Sequence, residues 1–185
     1  MPIPERPQAL QRQSAKSVVY QTVCDWIITG VMKPGEKILD SELASYFNVS
    51  RTPVREALQL LQNQKLVCVI PGRTTVVADL DVEDFEKCYR PLAEIDALAA
   101  ELACRNLTDA MLEELEQELQ ASAEANIKGD TAAIITHDTR FHELIIDAAD
   151  NEYIAEISHM LALHIQRIRY HFFHLPTMRR ISASQ

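Results

Sequence analysis

Apolar residues along this 185-residue chain recur mostly at helical spacing, and the positions where that spacing breaks mark out its elements. In SVVYQTVCDWIITG, residues 17–30, Val19, Val23, Trp26 and Ile27 fall on one face and Gly30 ends the run, which predicts a first helix. After a turn at Pro34 and Gly35, Leu43, Ala44 and Phe47 predict a short second helix capped by Asp40 or Ser41. Asn48 and Val49 form the next turn, and Ser50 is placed to cap a third helix that starts at Arg51. Pro53 suits that start, because amides of a first turn have no intrahelical acceptor and a missing N–H costs little there. Val54, Leu58 and Leu61, at i, i+4 and i+7, make the buried stripe and leave Arg51, Thr52 and Arg55 pointing away from it. VCVIPGRTTVVADL then predicts two short strands joined around Pro71 and Gly72, with Arg73 at the tip. Three helices followed by a hairpin make a winged helix-turn-helix.

From residue 81 the spacing is helical throughout. A short turn of helix is expected over 82–89, with Pro91 starting a longer one through LAEIDALAAELACR. Thr108 caps the next, which runs through Leu112, Leu115 and Leu119 to Gly129; Thr131 opens another to about Ala149. Tyr153 begins the last, with Ile154, Ile157, Leu161, His164 and Ile168 on one stripe. The expected fold is mainly α: a flexible arm over 1–16, a winged helix-turn-helix over 17–79, and an antiparallel helical bundle over 80–185.

Composition sharpens this picture where it is uneven. An apolar content of 47% suits a real core, and no apolar run nears the ~20 residues of a membrane span, so a cytoplasmic protein is expected. The net charge is −9, yet residues 1–80 hold nine Lys/Arg against seven Asp/Glu while residues 81–185 hold nine against twenty. A polyanion is therefore expected to meet the first segment only. Cysteines 24, 68, 88 and 104 have neither metal spacing nor a disulfide pattern and are expected to be reduced and mostly buried.

Arg51 and Arg55 stand four positions apart, so on a helix they lie one above the other and address neighbouring positions along a DNA groove. A planar guanidinium matches the guanine edge or a phosphate in bidentate fashion, and a helix start adds free N–H groups and partial positive charge. Ser50 and Thr52 supply hydroxyls at the same end. The bland alternative is that both arginines solvate an exposed face; their place at the start of the third helix of a winged fold favours DNA.

In the second half, Asp138 and His142 of HDTRFH are also four apart, a spacing that lets a carboxylate and an imidazole share a divalent ion such as Zn²⁺. An ordinary polar pair is the alternative. His164, on the apolar stripe, is a partial substitute for a third ligand or simply a core histidine.

The stretch G…KPGEKI…SELASYFNVSRTPVREALQLLQNQKLV with its PGR turn resembles the DNA-binding domain of GntR-type bacterial transcription regulators. DVEDFEKCYRPLAEIDALAAELA and HDTRFHELIIDAADNEYIAEI are similar to the FCD effector domain of the subfamily that answers fatty and organic acids. The resemblance implies DNA contacts at Ser50, Arg51, Thr52 and Arg55, and at Gly72 and Arg73 of the wing. Ser41 stands where some relatives carry arginine, which implies less readout by the second helix. The resemblance also implies two further histidine ligands on later helices, the first just past MRRISASQ where the sequence given stops, so the metal site is incomplete and the bundle is expected to lack its last helix or helices. Arg90 is implied as the cation for a carboxylate effector, with an interhelical salt bridge as the alternative.

These readings predict a ligand-responsive regulator, a repressor rather than an activator, that binds a palindromic operator as a homodimer and is not an enzyme. The runner-up is a shortened DNA-binding dimer that has lost its effector and metal response. A metal-dependent hydrolase is remote, because no HExxH, no GxSxG and no nucleophile with an attendant base occurs in the chain.

Overall fold

A computed structural model describes residues 14–70, 72, 74–81 and 83–172. The chain divides into two compact units, residues 1–26 with 35–78 and residues 27–34 with 79–185. The expected arm falls largely outside the described residues; its last positions already belong to α1 (Ala15–Ile28).

The first unit continues with β1 (Lys37–Ile38), α2 (Asp40–Tyr46), α3 (Arg51–Asn63), β2 (Val67–Ile70) and β3 (Thr74–Val77). Its buried residues are the ones the spacing selects: Val19 and Val23 on α1, Leu43 and Ala44 on α2, and Val54, Ala57, Leu58 and Leu61 on α3, joined by Leu66, Val67, Val76 and Val77. Tyr20 Oη donates to Gln64 Oε1 at 2.7 Å and ties α1 to the end of α3. The hairpin pairs Val67 with Val77 and Ile70 with Thr74. On the other side of β3, Lys37 and Ile38 pair with Val76 and Thr75, so the sheet has three strands in the order β1-β3-β2. Two residues are too few for an alternating pattern, and the expectation of a bare hairpin missed β1.

The turn between α2 and α3 fixes the approach of the third helix. Asn48 takes φ 53, the left-handed conformation that asparagine tolerates better than other non-glycine residues. Its N–H bonds Ser45 O at 3.2 Å and the Val49 N–H bonds Ala44 O at 3.0 Å, so two carbonyls at the end of α2 are satisfied in a Schellman closure. Substituting Asn48→Val forces a β-branched residue into that region, at a cost of about 1–2 kcal/mol. Thermal denaturation checks it: the midpoint falls for Asn48→Val and holds for Asn48→Gly.

The expected caps are only partly made. Ser50 occupies the cap position of α3, but its side chain makes no capping bond. Leu39, not Asp40 or Ser41, occupies the cap position of α2 without a side-chain bond, and Asp40 is already the first helical residue. Thr108 Oγ1 accepts from Met111 N at 3.3 Å, and Asp130 Oδ1 accepts from Ala133 N at 3.0 Å.

The second unit holds α4 (Glu83–Ala103), α5 (Asp109–Lys128), α6 (Thr131–Ala148) and α7 (Glu152–Phe172). Pro91 does not start a helix; it lies inside a continuous α4. Lys87 and Pro91 are both exposed, so the acceptor that the missing N–H leaves behind lies on the solvent side, where the loss is smallest. Helix α5 packs chiefly on α6, while α4 packs on α6 and α7. Ala99, Ile146, Ala149 and Ile154 form one core cluster, and Ala125, Ile134 and Ile135 another. Gly129 closes α5 at φ 71, a left-handed end that glycine adopts without strain. The stripe expected on α7 is rotated: Ile154, Ser158, Ile165, Arg167 and Ile168 are buried, while Ile157 is exposed. Leu112 and Leu119 are likewise exposed, because α5 has a neighbour chiefly on one side. Cys24 is buried, and burial pushes its thiol up to about 11, but Cys68 and Cys104 are exposed, against the expectation of mostly buried cysteines.

Candidate nucleic-acid interface and the polar centre of the helical unit

Helix α3 separates its faces cleanly. Val54, Ala57, Leu58 and Leu61 are buried, whereas Ser50, Arg51, Thr52, Arg55 and Glu56 are exposed. The first turn therefore presents two guanidinium groups, two hydroxyls and its outward amides on one surface. Ser50 makes no side-chain bond to the first-turn amides of α3.

Arg55 is not wholly uncommitted. Its Nε lies 2.6 Å from Asp40 Oδ2 at the start of α2, with the arginine side chain 67% exposed. The hydrogen bond from Arg55 holds the Asp40 carboxyl below its ordinary value. So exposed a pair adds little stability. Its consequence is geometric: Asp40 holds the guanidinium in place through Nε. Asp40→Asn is expected to raise affinity for random duplex severalfold, by removing a negative charge, and to cut the ratio of operator to random binding about tenfold as Arg55 loses its orientation. Competition binding with both duplexes reads the ratio.

Gly72 sits exposed at the hairpin turn with φ 108, a conformation that penalises any side chain. Arg73 and Pro71 lie outside the described residues.

In the helical unit, Asp138 and His142 share a face of α6 and are engaged by different partners. Arg169 of α7 engages Asp138 Oδ2 through Nη1. His142 Nδ1 faces Asp96 Oδ2 of α4 at 3.4 Å, and Ser158 Oγ of α7 donates to Asp96 Oδ1 at 3.3 Å. Burial pushes the Asp96 carboxyl up, against the opposing pull of His142 and the Ser158 hydroxyl. Gln166 Nε2 donates to Thr139 Oγ1 at 3.0 Å, His137 Nδ1 lies 2.7 Å from Glu118 Oε2, and Arg140 Nη2 donates to Glu114 Oε1 at 2.8 Å. Among the described residues no group of three or more His, Cys, Asp or Glu is placed to hold a metal ion, and His164 does not complete one. Asp138, expected as a metal ligand, is engaged here by Arg169, and His142, expected as its partner, faces Asp96. Arg90 is exposed on α4, six residues before Asp96 and hence about 240° around the helix from it. Asp96, Ser158 and Arg169 were missed from sequence: acid, hydroxyl and guanidinium come from three separate stretches, and no spacing links them.

A winged helix-turn-helix with an exposed basic helix start, together with a unit that has four helices among the described residues, is the architecture of two-domain transcription regulators. The comparisons agree. The family described as bacterial regulatory proteins, gntR family, matches residues 15–77, and the FCD domain matches residues 88–185. The chain belongs to the GntR family, in its FCD branch. It is 30% identical over 139 residues to the HTH-type transcriptional regulator YdhC of Bacillus subtilis, whose function is uncharacterized, covering 75% of this chain and 62% of that protein. Identity is also 30% over 132 residues to the HTH-type transcriptional regulator McbR of Escherichia coli, covering 71% of this chain and 60% of the relative. The chain thus spans about three fifths of the length of these relatives. The solved structure of E. coli McbR/YncC shares the fold, with a TM-score of 0.77 at 24% identity over 93% of this chain and 81% of that one.

Proposed function

We propose that this protein is a ligand-responsive transcription regulator, a repressor that binds a palindromic operator as a homodimer in the cytoplasm. One observation carries the reading: Arg51, Thr52 and Arg55 stand exposed at the start of α3, on the face opposite its buried stripe. That surface fits a major groove, with Ser50 and the outward amides on phosphate and the arginines on base edges or phosphates. Gly72 and Arg73 are assigned to the wing's backbone contacts. A second copy follows from affinity, since one winged module grips a half-site weakly and two linked modules multiply the effect. No helix among the described residues is long and apolar enough to cross a membrane.

The helical unit is assigned a small carboxylate effector, with exposed Arg90 on α4 as its cation. An effector moves the equilibrium only as far as it binds the two arrangements unequally. The relatives are named as transcriptional regulators, and a gluconate operon repressor of Bacillus licheniformis is among them at 27% identity over 131 residues.

Binding to duplexes selected from a random library, followed across a salt series, tests the proposal. Affinity should fall steeply with salt, by a log–log slope of about 0.9 per phosphate neutralised, with a clear preference for selected over random sequence. Weak, salt-insensitive binding without sequence preference would sink it.

A further inference from the structure

The geometry points to Arg169 as a built-in cation that takes the place of a metal ion at the centre of the helical unit, so that this bundle closes without one. Asp138 and His142 have the spacing of a metal pair, and a metal bridging α6 to later helices would fasten α6 from within. That fastening is already present. Arg169, 14% exposed, reaches from α7 to the carboxylate of Asp138, 22% exposed, and three residues before Arg169, Gln166 bonds Thr139 across the same two helices.

His142 by itself does not decide the matter. A carboxylate facing one ring nitrogen, as Asp96 faces Nδ1, is also how proteins aim the other nitrogen at a metal. Asp138 decides it. A divalent ion on that carboxylate would lie within one ion-pair distance of a guanidinium in a half-buried site, and arginine cannot shed its proton to relieve the repulsion. Asp96 is bonded by Ser158 and turned to His142, so Arg169 is the cation that engages Asp138. Of the expected pair of donors, one is already taken by Arg169.

The test uses the full 185-residue chain purified without chelator. Elemental analysis is expected to find below about 0.1 equivalent of transition metal per chain. The thermal midpoint should stay within about 1 °C whether EDTA or zinc chloride is added. Arg169→Met and Asp138→Asn should each lower the midpoint by about 5 °C, and the double variant should fall no further than the worse single, the signature of one shared interaction. About one equivalent of metal that His142→Ala removes, a midpoint lowered by EDTA, or single effects that add in the double variant would each overturn the proposal. Should Arg169→Met fail to fold, metal content and chelator response of the unaltered chain decide alone.

Discussion

Arg51→Ala is expected to lower affinity for a selected operator by about ten- to a hundredfold, while affinity for random duplex falls far less. A bidentate arginine contact to a base is worth about 1–3 kcal/mol of discrimination, and one to phosphate lowers binding to all sequences alike. Arg51 is exposed in the first turn of α3 and lies near enough to act on the Asp40 carboxyl but, unlike Arg55, makes no ion pair with it, so it is expected to carry the larger effect. Arg51→Lys keeps the charge but loses the planar fork, and should retain random binding while losing most of the preference. Glu56→Gln, a change of charge on the same exposed helix, is the control and should leave the preference intact. Fluorescence anisotropy with both duplexes reads all three variants; an Arg51→Ala protein that still prefers the operator as the unaltered chain does moves recognition away from this residue.

Leu61→Ala acts through folding rather than contact. Leu61 has no exposed surface and belongs to the stripe formed with Val54 and Leu58. Truncating a fully buried leucine costs about 3 kcal/mol from lost transfer energy and the cavity left behind, equivalent to a fall of roughly 10 °C in the thermal midpoint. Circular dichroism on heating measures it. DNA binding should weaken only as the first unit begins to melt, and at low temperature the preference for operator should survive. A loss of preference without a loss of stability would mean that Leu61 shapes the groove-facing surface directly.

How much of this was legible in sequence depended on how local the cause was. The three helices of the first unit, the proline at the start of α3 and the outward arginines all follow from spacing within about a dozen residues, and the structure has them so. The clasp between Asp40 and Arg55 was not legible, since it depends on how two helices cross. Strand β1 was not, since its two residues acquire meaning only beside β3. Pro91 misled because proline more often begins a helix than lies within one, and its solvent-side position is a property of the packed bundle. The stripe on α7 was read as four apolar residues with His164 among them, whereas the packed helix also buries Arg167 and Ser158. Burial pulls the Arg167 guanidinium down against the opposing charge of Asp79, a balance no periodicity encodes. The polar centre was half legible, through Asp138 and His142, but their partners sit on other helices and redirect both side chains.

Among the described residues, the polar side chains of α6 reach three helices: α4, where His142 faces Asp96, α5 through His137 and Arg140, and α7 through Asp138 and Thr139. A slide or roll of α6 alone would disturb contacts on three sides at once. Disturbances arriving at any neighbour are therefore pooled in α6, and the bundle should answer in concert, with one sharp transition rather than a graded loosening helix by helix.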